Sequence, residues 1–158
     1  MKKALKEIKQ GQGLGVLKFG MSRSEVKLLL GEPSFIDEYS HSDSVNDLTE
    51  SWEYDDLALS ISFDEEEKWR LTMMSVTADF YELEGESLIG LNEEKIQQVL
   101  TSLEFDDIGL EDCSEIEGED HKVIEIEEKS MNFWFIDGVL DEIQWSPLFI
   151  DDDTIQWP

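Results

Sequence analysis

The sequence predicts an α+β fold: a tandem duplication in which each unit is a helix, or helix pair, followed by three or four antiparallel strands, with the helices on one face of the sheet. Three observations predict it. First, a helix-entry stretch at Phe19–Leu30 returns 70 positions later at Ile89–Leu100, with apolar, Gly, apolar, cap and an i, i+3, i+4 apolar stripe in the same order. Second, the apolar period changes from helical to two after each of these stretches. Third, the strand patterns of the halves overlay at offsets of 72 and then 69, the drop falling inside a hairpin. The predicted units are 1–80, with a basic N-terminal segment, and 81–158, together one compact domain.

In chain order, residues 2–9 read as one or two helical turns carrying Ala4, Leu5 and Ile8, and Gly11, Gly13 and Gly15 break them. This glycine run is no phosphate loop, because no strand precedes it and no Gly-Lys-Ser/Thr follows. Ser22 and Glu25 have capping-box spacing ahead of a helix with Val26, Leu29 and Leu30 on its apolar face. Gly31 and Pro33 stop that helix. Phe35–Tyr39 is an early strand and His41–Asp47 a loop. Trp52, Tyr54, Leu57, Leu59, Ile61 and Phe63 then recur at strand spacing, Asp64–Lys68 is a charged turn, and Trp69–Thr77 is the return strand.

The second half repeats the order. Asp79–Ser87 connects to a helix capped by Asn92, with Glu93 and Glu94 in its first turn, where the helix dipole favours acids. Ile96, Val99, Leu100 and Leu103 form its apolar face. Residues 104–121 are an acidic loop. Val123–Glu127 and Ser130–Ile136 are strands, Asp137-Gly138 is a two-residue hairpin turn, and Val139–Trp145 returns. Pro147 ends that strand before an acidic tail containing Trp157.

Charge is the compositional outlier. The 158 residues carry 39 acids against 12 bases, a formal charge of −27. Residues 1–30 hold seven of the 12 bases and only two of the acids, so the body of the chain is more acidic still. Such a charge repels itself in the folded state. It disfavours nucleic acid and anionic membrane as partners, which both require a basic surface, and favours a basic protein. Solubility alone is the plain alternative. One cysteine, Cys113, excludes an internal disulfide and a multi-Cys zinc site. Glu7 and Lys9 interrupt any signal peptide, and no window reaches a membrane span, which reads as cytoplasmic.

No residue set spells catalysis. His41 and His121 sit beside acids in polar loops, where an exposed histidine is the ordinary outcome. Cys113 lies between Asp112 and Glu115, and acids raise a thiol pKa and dull it. Asp64–Glu67 and Asp151–Asp153 lack calcium-loop spacing and read as solvated charge. The reading is a non-enzyme without cofactor or metal. The candidates that remain are for binding. Trp134 alternates with Phe133 and Phe135, so it points to the sheet face away from the helices, and Trp145 and Trp157 are candidates to join it there, with burial of all three against the other repeat as the equal alternative. Around them stands the acidic run Asp106, Asp107, Glu111, Asp112, Glu115, Glu117, Glu119 and Asp120, suited to steering a basic protein.

The run Gly13–Ser22, with Glu25-Val26 and Leu30-Gly31-Glu32-Pro33, resembles a bacterial signature of the form G-x-x-x-F-G-M-S/T-x-x-E-V-x-x-x-L-G-x-P found in small uncharacterised and immunity-type proteins. The expected architecture is similar to the fold shared by the β-lactamase inhibitor protein and the BamE/SmpA lipoprotein family. Those families are secreted or lipidated, and this chain shows neither signal. The resemblance therefore implies a binding scaffold of the kind found in cytoplasmic toxin–immunity pairs: an immunity protein that covers the active cleft of a cognate toxin, a basic nuclease domain for preference. A non-toxin adaptor using the same face is the alternative.

Overall fold

A computed structural model describes residues 2–40, 48–103, 109–112, 121–126, 129–151 and 154–158. The chain starts with a 3-10 turn, Lys2–Leu5, and three short strands, β1 (Glu7–Lys9), β2 (Gly13–Leu14) and β3 (Leu17–Lys18). Helix α1 (Arg23–Leu30) leads into a four-strand meander: β4 (Phe35–Ser40), β5 (Leu48–Tyr54), β6 (Leu59–Asp64) and β7 (Arg70–Val76). Two short strands, β8 (Glu82–Leu83) and β9 (Glu86–Ser87), precede helix α2 (Glu93–Ser102). A second meander follows: β10 (Gly109–Asp112), β11 (His121–Ile126), β12 (Met131–Ile136) and β13 (Val139–Trp145). Strands β14 (Leu148–Phe149) and β15 (Ile155–Gln156) end the chain.

This is a mostly β protein, which corrects the expected tandem α+β architecture. The described residues form sheets of five, eight and two strands, and the only α-helices among them have eight and ten residues. The reason lies in element length. The two-residue strands are too short to show a period, so segments that read as turns or connectors in fact pair. Residues 7–9, expected to be helical, bond antiparallel to β2 and parallel to β8, making a small sheet in the order β3-β2-β1-β8-β9.

The large sheet is continuous and antiparallel, in the order β10-β11-β12-β13-β7-β6-β5-β4. Its two meanders meet at β7 and β13, which pair only over Val76–Ile143, Ser75–Gln144 and Met74–Trp145. The first halves of both strands bond elsewhere. Gly20 N–H donates to Leu71 O (2.9 Å) and Leu71 N–H to Met21 O (2.9 Å). Gly90 N–H likewise donates to Leu140 O (2.9 Å) and Leu140 N–H to Leu91 O (2.8 Å). Each helix is thus entered from a segment stitched to a central strand.

Local chemistry then starts the helices. Ser22 Oγ accepts from Glu25 N–H (3.2 Å) and Glu25 Oε1 from Ser22 N–H (3.1 Å), a complete capping box. Asn92 Oδ1 accepts from Lys95 N–H at 2.8 Å. Val26 of α1 and Ile96, Val99 and Leu100 of α2 are buried, while Leu29 and Leu30 are only partly covered.

One core runs along the helix-covered face of the sheet. Trp52, Ile61, Phe63, Met74, Val76, Phe133, Phe135, Ile143 and Trp145 are all at or below 3% exposure. The N-terminal segment adds Leu5, Ile8, Leu14 and Leu17, and the linker adds Tyr81, Leu83 and Leu88. Gly15, at φ 56°, lets the chain touch itself: a Cβ there would stand 1.8 Å from Ala4 O. Gly85, at φ 81° in the β8–β9 turn, has open space around it.

Two predictions follow from this packing. Gly15→Ala meets both backbone strain and a backbone clash, so it costs about 2–4 kcal/mol, whereas Gly85→Ala meets only the strain and costs about 1 kcal/mol. Urea denaturation of the two variants measures the difference. The second concerns alkali. Burial, and then the Glu32 charge, push the Tyr54 hydroxyl up to about 12, and burial pushes Tyr81 to about 12, both from 10.0. The folded state therefore keeps phenols protonated that the unfolded chain ionises. Stability is intact below pH 10 and falls as the pH rises toward 12. The doubly substituted Tyr54→Phe/Tyr81→Phe protein loses this part of the alkaline decline. It is also less stable at neutral pH, because the bonds to Gly31 O and Leu57 O are gone. Thermal melts from pH 7 to 12 report both.

Candidate binding face

Among the described residues no helix lies over the other face of the sheet, and its side chains form a row of acceptors. Strand alternation creates it: on β5 and β6 the core takes Trp52, Tyr54, Leu59, Ile61 and Phe63, so Thr49, Ser51, Glu53, Ser60, Ser62 and Asp64 fall on the opposite side. The hydrogen bonds run directly across the strands. Thr49 Oγ1 donates to Asp64 Oδ1 (2.7 Å) and Thr72 Oγ1 to Asp64 Oδ2 (3.0 Å). Ser51 and Ser62 share a bond of 3.0 Å, and Ser60 Oγ donates to Glu53 Oε1 at 2.8 Å.

The row continues through the central pair into the second meander. Ser75 Oγ donates to Glu142. Gln144 Nε2 reaches Met73 Sδ (2.9 Å), and Trp134 Nε1 donates weakly to Gln144 Oε1 (3.4 Å). Five strands, β5 to β7 with β13 and β12, are thus laced by side chains of which the charged ones, Glu53, Asp64 and Glu142, are all acidic. Hydroxyls satisfy part of each carboxylate, but a carboxylate accepts several bonds, so capacity remains for an incoming donor.

At one end of this face the β14–β15 hairpin overhangs the sheet. The groove between them has a volume of about 430 Å3. Asp64, Thr72 and Met73 line its floor, Tyr39, Phe149 and Ile155 its walls, and Glu66 and Glu67 its lip. Phe149 and Ile150 are 53% and 67% exposed.

The predicted site residues separate. Trp134 is half-buried on the uncovered face, where its alternation with Phe133 and Phe135 puts it. Trp145 is not there. It is 1% exposed in the core, and its Nε1–H donates to Gly13 O at 3.1 Å. The alternation that buries Ile143 also buries Trp145 and presents Glu142 and Gln144 instead. Trp157 is also elsewhere: its ring packs at Gly20, where a Cβ would come within 3.1 Å, and Arg70 stands 5.1 Å over it. Glu111 and Asp112 belong to β10, at the far edge of the sheet. Asp106, Asp107, Glu115, Glu117, Glu119, Asp120, His41 and Cys113 lie outside the described residues.

The hydroxyl–carboxylate row was not anticipated. Asp64 reads in the sequence as the start of a charged turn, yet it is the acceptor that ties β5 to β7. The signal lay in the polar half of the alternation, where Thr49, Ser51, Ser60 and Ser62 are small hydroxyl residues rather than Lys or Glu. Among the described residues no three His, Cys, Asp or Glu side chains gather as a metal-holding group. No described helix is long and apolar enough to cross a membrane. Comparison with known proteins returned no matching family model, no matching curated protein and no matching solved structure.

Removing the Asp64 carboxylate takes one hydrogen bond from each of two buried hydroxyls, Thr49 and Thr72. Asp64→Ala therefore costs about 1–3 kcal/mol, while Trp134→Ala, on the half-exposed side of the sheet, costs under about 1 kcal/mol. Chemical denaturation of both variants tests the ranking.

Proposed function

We propose that this chain is a binding protein of the immunity type, which holds a cognate basic toxin domain, a nuclease for preference, against the uncovered face of its large sheet. The observation that carries the reading is the row of acidic acceptors on that face, in a chain of net charge −27. A nuclease cleft is built to bind a run of phosphates. A rigid row of carboxylates offers the same charge, and the sheet holds it in place so that little entropy is lost on docking. Long-range attraction raises the association rate, and Trp134 supplies a half-exposed aromatic in the midst of the polar groups. The toxin is inhibited by occupancy, with no bond made or broken. The resemblance of Gly13–Pro33 to the immunity-type signature supports the same class.

Co-expression with a basic nuclease domain encoded beside this chain tests the proposal. A stable complex with the nuclease silenced is the expected outcome. Trp134→Ala and Glu142→Ala each weaken it about tenfold or more, and raising salt from 50 to 500 mM slows association while changing dissociation little. A nuclease that remains active beside an equimolar amount of this protein sinks the idea. Capture of a partner without toxic activity leaves the adaptor reading in its place.

A further inference from the structure

Strand β4 ends the large sheet, and it differs from every strand inside it. Its six residues, Phe35-Ile36-Asp37-Glu38-Tyr39-Ser40, are all exposed. Phe35 is 61% and Ile36 46% exposed, although both are large and apolar. Sheet edges are usually protected by charged side chains, lysine above all, by proline, by a bulge or by a very short strand, since an open edge offers its backbone to any passing strand. Of these devices β4 carries only charge, in the acids Asp37 and Glu38, which repel a like-charged strand and leave the edge open to a cationic one. It contains neither Lys nor Pro, and its register with β5 runs unbroken over six pairs.

Both sides of this edge have shape. Ile36 lines a hollow of about 240 Å3 with Trp52, Arg23 and Lys27 on the α1 side. Phe35 and Asp37 face the uncovered side, paired with Glu53 and Ser51. An added strand would therefore meet on one side a recess in which Ile36 and Trp52 sit beside Arg23, Lys27 and Glu50, and on the other an apolar-then-acidic surface.

We infer that β4 is a docking edge that takes an extended segment of the partner as an additional antiparallel strand, with apolar residues beside Phe35 and Ile36 and basic residues beside Asp37 and Glu38. A second copy of this chain is the wrong occupant. A two-fold pairing centred on Asp37 or Glu38 sets like charges directly opposite each other, and in any register it joins two bodies of charge −27. Complementary charge selects a cationic segment instead. Main-chain bonds would supply the affinity and the alternating side chains the selectivity. The basic half of this assignment rests on the cationic partner proposed above, and the strand pairing does not.

The probe is a blocked peptide, acetyl-Thr-Val-Lys-Lys-Val-Tyr-Thr-amide, with two relatives: one N-methylated at both lysines, whose amides point to opposite edges, and one with Glu in place of Lys. No toxin is needed, so the result stands apart from the fate of the uncovered face. Saturating the full protein with the Lys peptide slows amide exchange across Phe35–Glu38 by about tenfold or more. The N-methylated and Glu peptides leave it unchanged. In the doubly substituted Asp37→Lys/Glu38→Lys protein the preference reverses to the Glu peptide. Equal effects from the methylated and unmethylated peptides would show attraction by charge alone and overturn the inference. Unchanged exchange at millimolar Lys peptide overturns it as well.

Discussion

The antiparallel contact of Met74–Val76 with Ile143–Trp145 is the joint on which the rest of the structure depends. It is short, yet it makes one sheet from two meanders. Its inward residues, Met74, Val76, Ile143 and Trp145, are at or below 1% exposure, each burying an amount of apolar surface worth roughly 1.5–3 kcal/mol. Because β7 and β13 pair only at one end, their other ends are free to bond the segments entering α1 and α2. The helices are therefore positioned by the same two strands that join the sheet. Trp145 extends the joint further, since its indole N–H holds Gly13 and draws the small N-terminal sheet onto the core.

The charge and the fold are reconciled by where the acids go. Among the described residues ion pairs join Lys6–Glu82, Arg23–Glu50, Lys27–Glu32 and Lys122–Glu93. Partly exposed pairs of this kind contribute little each. On the uncovered face the partners are hydroxyls, which satisfy a carboxylate without cancelling its charge. A surface built this way keeps its order and its negative potential together. The basic N-terminal segment is used internally, as Arg23 stacks 4.5 Å over Trp69 and Lys27 stands 5.8 Å over Trp52.

Much of the local structure was legible. The Ser22/Glu25 capping box, the Asn92 cap, the turn at Asp137-Gly138 and the inward sets of β6 and β12 follow from spacing and alternation, which depend only on neighbours in the chain. The same alternation, carried strictly along β13, already assigns Trp145 to the core with Ile143. The errors came where pairing is remote. Residues 7–9 look like a helical turn by composition, and pairing with β2 on one side and with the distant β8 on the other makes them a strand. Asp64 looks like surface charge until Thr49 and Thr72 are brought to it from two other strands.

Which residues face inward on each long element, where the helices begin, and how acidic the surface is can all be read along the chain. These are consequences of periodicity, capping and composition, all local or additive. The tertiary structure alone decided that the two meanders form one sheet, that β4 is left at its edge, and which acids are held in an ordered row rather than left in solvent. Each of these is a matter of which distant segments share hydrogen bonds, and backbone donors and acceptors are the same in every residue. The chain order of side chains carries little of that information until the strands are laid side by side.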